Sequence, residues 1–135
     1  GITSDIIAGF PQETDQDHQE TLQTLSQAGL TYMHIFPYSV RPNTKAASMP
    51  QIDKATKRAR VKDLEALREK LFSSFLQSEQ GEISLVITEQ VEDGFVTGHT
   101  QNYLKSYLPQ DTPLDSLVKI KVGERFRDGV LGILV

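Results

Sequence analysis

Apolar and polar positions along the chain change their period twice. Ile6, Ile7 and Ala8 run together without alternation, the pattern of a short strand buried on both faces, as parallel strands under helices are. Gly9-Phe10-Pro11 ends that run, and Thr14 then caps a helix with Asp15 and Asp17 in its first turn. Leu22, Leu25 and Ala28 recur at helical spacing up to Gly29, which suits a left-handed C-cap. Leu30 to Tyr38 predicts a second strand, so this part of the chain is a βαβ unit with parallel strands and a right-handed crossover. A second helix runs from a cap at Asp53 to about Gln80, with Gly81 as its stop and an apolar stripe of Ala59, Leu64, Leu67, Leu71 and Phe75 widened by Phe72 and Leu76. From Glu82 the period becomes two: Ile83, Leu85 and Ile87 alternate with Ser84, Val86 and Thr88. Short strands at 94–98, 103–108, 117–122 and 130–135, separated by polar turns, complete a small antiparallel barrel of the OB-like kind. The expected organisation is an α/β piece with its connecting helices over residues 1–80 and a β-barrel over 81–135.

Two loops leave the same end of the predicted parallel sheet, where ligands bind in α/β folds. The first holds Gly9, Phe10 and Glu13; taken by itself it reads first as an ordinary strand-to-helix turn and only second as a ligand loop. The second, Ser39 to Thr44, carries Arg41, whose fork suits a carboxylate or phosphate but also suits bracing a loop. His18 shares the helix face of Leu22 and reads as a packed residue at the core edge rather than a ligand. In the barrel, Tyr103, Lys105 and Tyr107 alternate with Leu104 and Leu108. One face would then offer aromatic planes for stacking and a cation for phosphate, as single-stranded RNA requires; a solvated sheet face is the alternative. Lys119 and Lys121 oppose Val118, Ile120 and Val122 and could add phosphate contacts.

Composition narrows the field. The 135 residues contain no cysteine, which removes disulfides, thiolate metal sites and a cysteine nucleophile from this stretch. Apolar residues make up 38% and mean hydropathy is −0.34, with no run long enough to span a bilayer and no secretory signal. The start at Gly1, close to a strand, has the look of a piece of a longer protein. Net charge is −4, unevenly spread: residues 1–40 carry five acids and no Lys or Arg, 41–79 carry nine bases against five acids, and 80–135 carry five bases against eight acids. Local positive charge therefore lies in the long helix, at Lys54, Lys57, Arg58, Arg60 and Lys62, either as a solvated face or against RNA backbone.

The run Asp5-Ile6-Ile7-Ala8-Gly9-Phe10-Pro11-Gln12-Glu13-Thr14, then a helix, then His34-Ile35-Phe36-Pro37-Tyr38-Ser39-Val40-Arg41-Pro42-Asn43-Thr44 resembles the end of a radical SAM core. Its order and spacing are similar to those of the methylthiotransferases of the MiaB, RimO and MtaB types, and the terminal strands resemble their TRAM domain. Gly98, Thr100 and Asn102-Tyr103-Leu104 look most like the MtaB type. Gln12 and Asn43 stand where that family usually has glycine, and His18 where it usually has a large aromatic.

The resemblance implies a partial (β/α)6 barrel of which this chain holds the fifth and sixth strands. It implies S-adenosylmethionine and [4Fe–4S] clusters in the full-length protein, the cluster cysteines lying before Gly1, so that this piece alone is expected to bind neither and to be inactive. Gly9, Phe10, Glu13 and Arg41 would border the cofactor; Tyr103, Lys105, Tyr107, Lys119 and Lys121 would meet RNA. The implied reaction is 2-methylthiolation of N6-threonylcarbamoyladenosine in tRNA in the cytoplasm. The partners would be tRNA and the N-terminal remainder of the protein, with neither membrane nor DNA. Two alternatives remain open: a ribosomal-protein-directed methylthiotransferase, and a non-catalytic RNA- or protein-binding module.

Overall fold

A computed structural model describes all residues 1–135 and divides the chain into two compact units, residues 2–72 and residues 73–135 together with Gly1. The dividing line falls inside a helix, between Phe72 and Ser73.

The first unit is built on two parallel strands, β1 (Thr3–Ala8) and β2 (Tyr32–Pro37), paired in the register Asp5 with His34, Ile6 with Ile35 and Ile7 with Phe36. Between them runs helix α1 (Asp15–Gln27). Its start is a full capping box, Thr14 accepting from the Asp17 amide and Asp17 from the Thr14 amide, and Gly29 follows its end at φ +68°. Helix α2 (Lys54–Glu79) follows a single 3-10 turn at Ala46–Ser48, and Asp53 accepts from the Thr56 amide at its start.

Ala8, Leu25, Leu30, Met33 and Leu64 form the core, with Ile6, Leu22, Ile35, Val61, Leu67 and Leu71 packed around it. Because side chains alternate across a strand, all of these lie on one face of the sheet. The expectation of a strand buried on both faces is corrected here: Ile7 is 57% and its neighbour Phe36 50% exposed, because α1 and α2 cover the opposite face only. Ala59, expected in the α2 stripe, is exposed, and the inward position beside it belongs to Arg60.

The second unit is a closed barrel of five strands: β3 (Ile83–Glu92), β4 (Phe95–Thr100), β5 (Lys105–Leu108), β6 (Leu117–Phe126) and β7 (Gly129–Leu134). Their order is β3-β4-β5-β7-β6, antiparallel throughout except between β5 and β7. The alternation in β3 is present, and the row that faces inward is Val86 and Thr88, while Ile83 and Ile87 face solvent. Thr88 is affordable inside because its hydroxyl donates to Pro113 O (2.7 Å) and its backbone joins the 115–116 turn. On β4, a Cβ at Gly98 would stand 2.0 Å from Ile87 O, so only glycine lets the two backbones approach this closely.

Candidate functional sites

At the carboxyl end of the parallel sheet, two loops meet within the first unit. Gly9 takes φ +76°, and the Cβ it lacks would fall 2.6 Å from Lys57 Cγ. Its amide donates to Glu13 Oε1 (3.1 Å), while the Glu13 amide returns a bond to Phe10 O (3.0 Å). The same Glu13 oxygen accepts from Arg60 Nη1 (2.8 Å). Arg60 further donates to Glu13 O (3.0 Å) and to Asp15 Oδ1 (2.9 Å). Burial opposes the charge on Arg60, but its bonds to Asp15 and Glu13 outweigh it and hold the guanidinium above its ordinary pKa.

Of the four residues expected to border a cofactor, Gly9 and Glu13 are thus turned into the unit as a brace, and Phe10 and Arg41 are turned out. Phe10 stands half-exposed, edge-on to Tyr38 with ring centroids 5.3 Å apart. Arg41 is exposed, and its carbonyl accepts from the Thr44 hydroxyl (2.8 Å). Gln12 and Asn43 both take left-handed backbone, φ +72° and +65°, as the glycines they stand in for would. His18 is buried on α1 with Nε2 3.0 Å from Asp63 Oδ2 of α2, a packed residue as its helix face suggested.

The barrel residues expected to meet RNA separate into two groups. The proposed Tyr103–Lys105–Tyr107 face is corrected by the structure. Lys105 and Tyr107 do share one side of β5, with Lys105 Nζ 5.0 Å from the Tyr107 ring centre, but that side is covered. Phe95 and Phe126 pack against Tyr107 at 5.9 and 5.1 Å, and the Arg127 guanidinium lies over all three rings. Tyr107 is 1% exposed and its hydroxyl donates to Asp128. Lys105 sits between Glu92 (3.0 Å) and Asp128 (3.2 Å). The Tyr107 hydroxyl first, then these two carboxylates, raise its pKa above the ordinary lysine value. Burial, with help from Asp128, likewise pushes the Tyr107 hydroxyl up. Burial also works against the Asp128 carboxylate, but hydrogen bonds from Tyr107 and Lys105 overcome it and leave its pKa lowered. This group closes on itself, and its lysine is already neutralised.

Tyr103 lies outside that cluster, on the turn before β5. It is 82% exposed at φ +64°, an unusual backbone state for an aromatic residue. Bonds from its own amide to Thr100 O (3.0 Å) and from the Leu104 amide to the Thr100 hydroxyl (3.0 Å) fix the turn, and Asn102 anchors it to Glu79 (2.8 Å). Lys119 and Lys121 are exposed on β6, opposite Leu85 and Ile83 of β3. A shallow groove of about 340 Å³ runs between Ile83, Ser84, Leu85, Lys119 and Gln101, the last of these on the Tyr103 turn.

Lys57 and Arg60, expected within a charge run on a solvated or RNA-facing helix face, instead brace the two loops, and Arg127 was not singled out by the sequence. Arg60 had a readable signal: it lies one helical turn before Leu64 and therefore on the buried stripe. Arg127 had none, since its partners Phe95, Tyr107 and Phe126 come from three different strands. No group of His, Asp and Glu in the chain is arranged to hold a metal ion, and no helix is long and apolar enough to cross a membrane.

No family model matches the chain. Curated relatives do. A threonylcarbamoyladenosine tRNA methylthiotransferase MtaB of Bacillus subtilis is 33% identical over 128 residues, covering 90% of this chain and 28% of that protein. The protein of the same name from Aquifex aeolicus is 40% identical over 91 residues, 66% of this chain and 22% of its own length. A tRNA-2-methylthio-N(6)-dimethylallyladenosine synthase of Neorickettsia sennetsu is 31% identical over 121 residues, 90% of this chain and 26% of its own. The chain therefore spans only about a quarter of the length of these relatives. Over most of its residues the chain is homologous to a segment of the tRNA methylthiotransferases of the MtaB and MiaB types.

Proposed function

We propose that this chain forms the C-terminal part of a radical SAM tRNA methylthiotransferase that places a methylthio group on N6-threonylcarbamoyladenosine, working in the cytoplasm. The observation that carries the reading is the match to the Bacillus subtilis MtaB across 90% of the chain. In this reading residues 1–80 close a partial (β/α)6 barrel, with β1 and β2 as its fifth and sixth strands. Residues 81–135 are a TRAM domain of OB-like form that grips tRNA. The strand order, with its single parallel pair between β5 and β7, supports the OB-like assignment.

The loop residues fit one part of S-adenosylmethionine. The half-exposed Phe10 ring, edge-on to Tyr38, suits the adenine; the exposed Arg41 suits the carboxylate. Bound, that cofactor would supply the radical that activates the target carbon. The residues do not fit an iron–sulfur cluster: the chain has no cysteine to offer one. Its own contribution is to bind and orient. On the barrel, Tyr103 supplies an exposed ring for a base and Lys119 and Lys121 supply charge for phosphate; Lys119 lines a groove that reaches Gln101 on the Tyr103 turn.

A second reading rests on the dimethylallyladenosine synthase relatives, which match as much of the chain at nearly equal identity and would direct the same chemistry to a different adenosine. Mass spectrometry of tRNA nucleosides from cells with and without the intact protein decides between them. Loss of the methylthio group from threonylcarbamoyladenosine alone is the expected result; loss from dimethylallyladenosine alone establishes the second reading; loss from neither overturns both.

A further inference from the structure

We propose that Lys57 and Arg60, one turn apart on α2, are positioning residues that hold the two loops of the sheet end in place for a bound ligand. This rests on the reading of those loops as the rim of the S-adenosylmethionine site.

Arg60 is 5% exposed, and every one of its bonds goes to the loop after β1 or to the start of α1. Through Glu13 the chain of bonds ends on the Gly9 amide, so the guanidinium governs main chain rather than a neighbouring side chain. Lys57 does the same for the second loop: its Nζ donates to Tyr38 O (3.0 Å) and lies 5.5 Å from the Tyr38 ring centre. Its methylene stem meanwhile fills the space beside Gly9, so one lysine touches both loops. The Tyr38 amide completes the circuit by donating to Ala8 O (2.8 Å).

Stability alone gives little reason for this arrangement. A buried guanidinium must recover its lost hydration from its partners, and apolar residues in place of the whole ion network, rather than of one partner, often stabilise as well or better. What an apolar residue lacks is the fixed fork that sets a carbonyl and a carboxylate at defined positions, and a lysine at 60 would also lack it. The clamp leaves the Phe10 ring outside, resting on Tyr38, with the backbone beneath it immobilised from two sides. A loop held this way meets its ligand without an ordering cost.

The test compares Arg60→Met, Arg60→Lys and Lys57→Met with Phe10→Ala in the intact protein that carries this chain. Hydrogen exchange is read over residues 9–13 and 38–44, and S-adenosylmethionine affinity by calorimetry. Arg60→Met is expected to speed exchange at Gly9 and through residue 13 while α2 and β2 keep their protection. It should weaken the cofactor between about tenfold and a hundredfold. Lys57→Met should loosen both loops, and Arg60→Lys should recover only part of the affinity. Where Arg60→Met does not fold, Glu13→Gln, which keeps the shape and loses the charge, carries the same comparison. Exchange that rises evenly across α1, α2 and the sheet overturns the proposal in favour of a purely structural role. Affinity that falls with Phe10→Ala and not with the Arg60 variants overturns it while leaving the cofactor rim intact. Affinity indifferent to all four removes the rim reading itself, and the clamp with it.

Discussion

The two units treat their cations in the same way and leave different ones free. In the first, Lys57 and Arg60 are spent on backbone and carboxylates of neighbouring loops, and Arg41 stays exposed at the sheet end. In the barrel, Lys105 is held between Glu92 and Asp128, and Arg127 pairs with Asp93 over an aromatic trio, while Lys119 and Lys121 stay exposed on β6. Sequence alone gives all of these the same description, a basic residue in a polar position. What separates them is whether an acid or a carbonyl from another segment arrives within about 3 Å, which is a property of tertiary placement.

The sharpest way to break this division is at the two tyrosines of β5 and its turn. Tyr107→Ala removes a buried ring from the Phe95–Phe126 stack and should cost about 3–5 kcal/mol in the denaturant unfolding of the barrel. Tyr103→Ala, two turns of the alternation earlier and almost wholly exposed, should stay within about 0.5 kcal/mol. Equal losses would mean that the two residues are not divided into support and surface. The corresponding pair in the first unit is Arg60 and Arg41. Arg60→Met leaves the Glu13 carboxylate largely buried without its partner and should cost about 2–4 kcal/mol, against a change within about 0.5 kcal/mol for Arg41→Met.

Local pattern was enough for most elements. The caps at Thr14 and Asp53, the stops at Gly29 and Gly81 and the change to period two after Gly81 sit in the sequence because each is a short-range demand of the backbone. Facing was harder. The isoleucines of β3 look like the core row, yet the smaller Val86 and Thr88 face in, because a narrow five-stranded barrel has room for little more. Burial of β1 on both faces was read from its unbroken apolar run; in the structure the helices cover only the Ile6 and Ala8 side. The candidate loops were legible from Gly9, Pro11 and Arg41, but the division of labour within them was not. It depends on Arg60, forty-seven residues beyond Glu13.

Titration offers a gentler probe of the spent cations. Tyr107 and Lys105 both have pKa values raised above their ordinary 10.0 and 10.5, so the folded barrel keeps protons that the unfolded chain gives up. Their contribution to stability is complete below about pH 10 and drains as the pH climbs past it. Asp128 has the opposite sign: with its pKa below 3.8, its contribution is present above that pH and fades on acidification. Unfolding followed from pH 7 to 11 should show the alkaline loss, and Tyr107→Phe should flatten it. A wild-type profile that stays level to pH 11 would mean that this cluster is not formed as described.

For the free cations the probe is salt. If Lys119 and Lys121 meet phosphate, changing both to Ala should reduce the slope of log affinity for tRNA against log salt by roughly 0.7 per lysine for single-stranded contacts. The same measurement on Lys105→Ala should leave the slope nearly unchanged, since that charge is already balanced by two acids. A larger effect from Lys105 than from the β6 pair would reverse the assignment.

The smallest effect belongs to the loop itself. Gln12 holds φ +72° at the point where the chain turns from β1 into α1, and Asn43 holds φ +65° in the second loop. A left-handed residue with a side chain carries a cost of about 1–2 kcal/mol that glycine avoids, although glycine gives back part of the gain through its freer unfolded state. Gln12→Gly should therefore stabilise the first unit by up to about 1 kcal/mol, and Asn43→Gly by less, because asparagine tolerates this region. If Gln12→Gly instead destabilises, the strain is absent and the loop is shaped by something other than its backbone. If it stabilises but also speeds exchange at Gly9, the Gln12 side chain limits motion that the clamp from α2 does not reach, and the two supports act on different parts of the same turn.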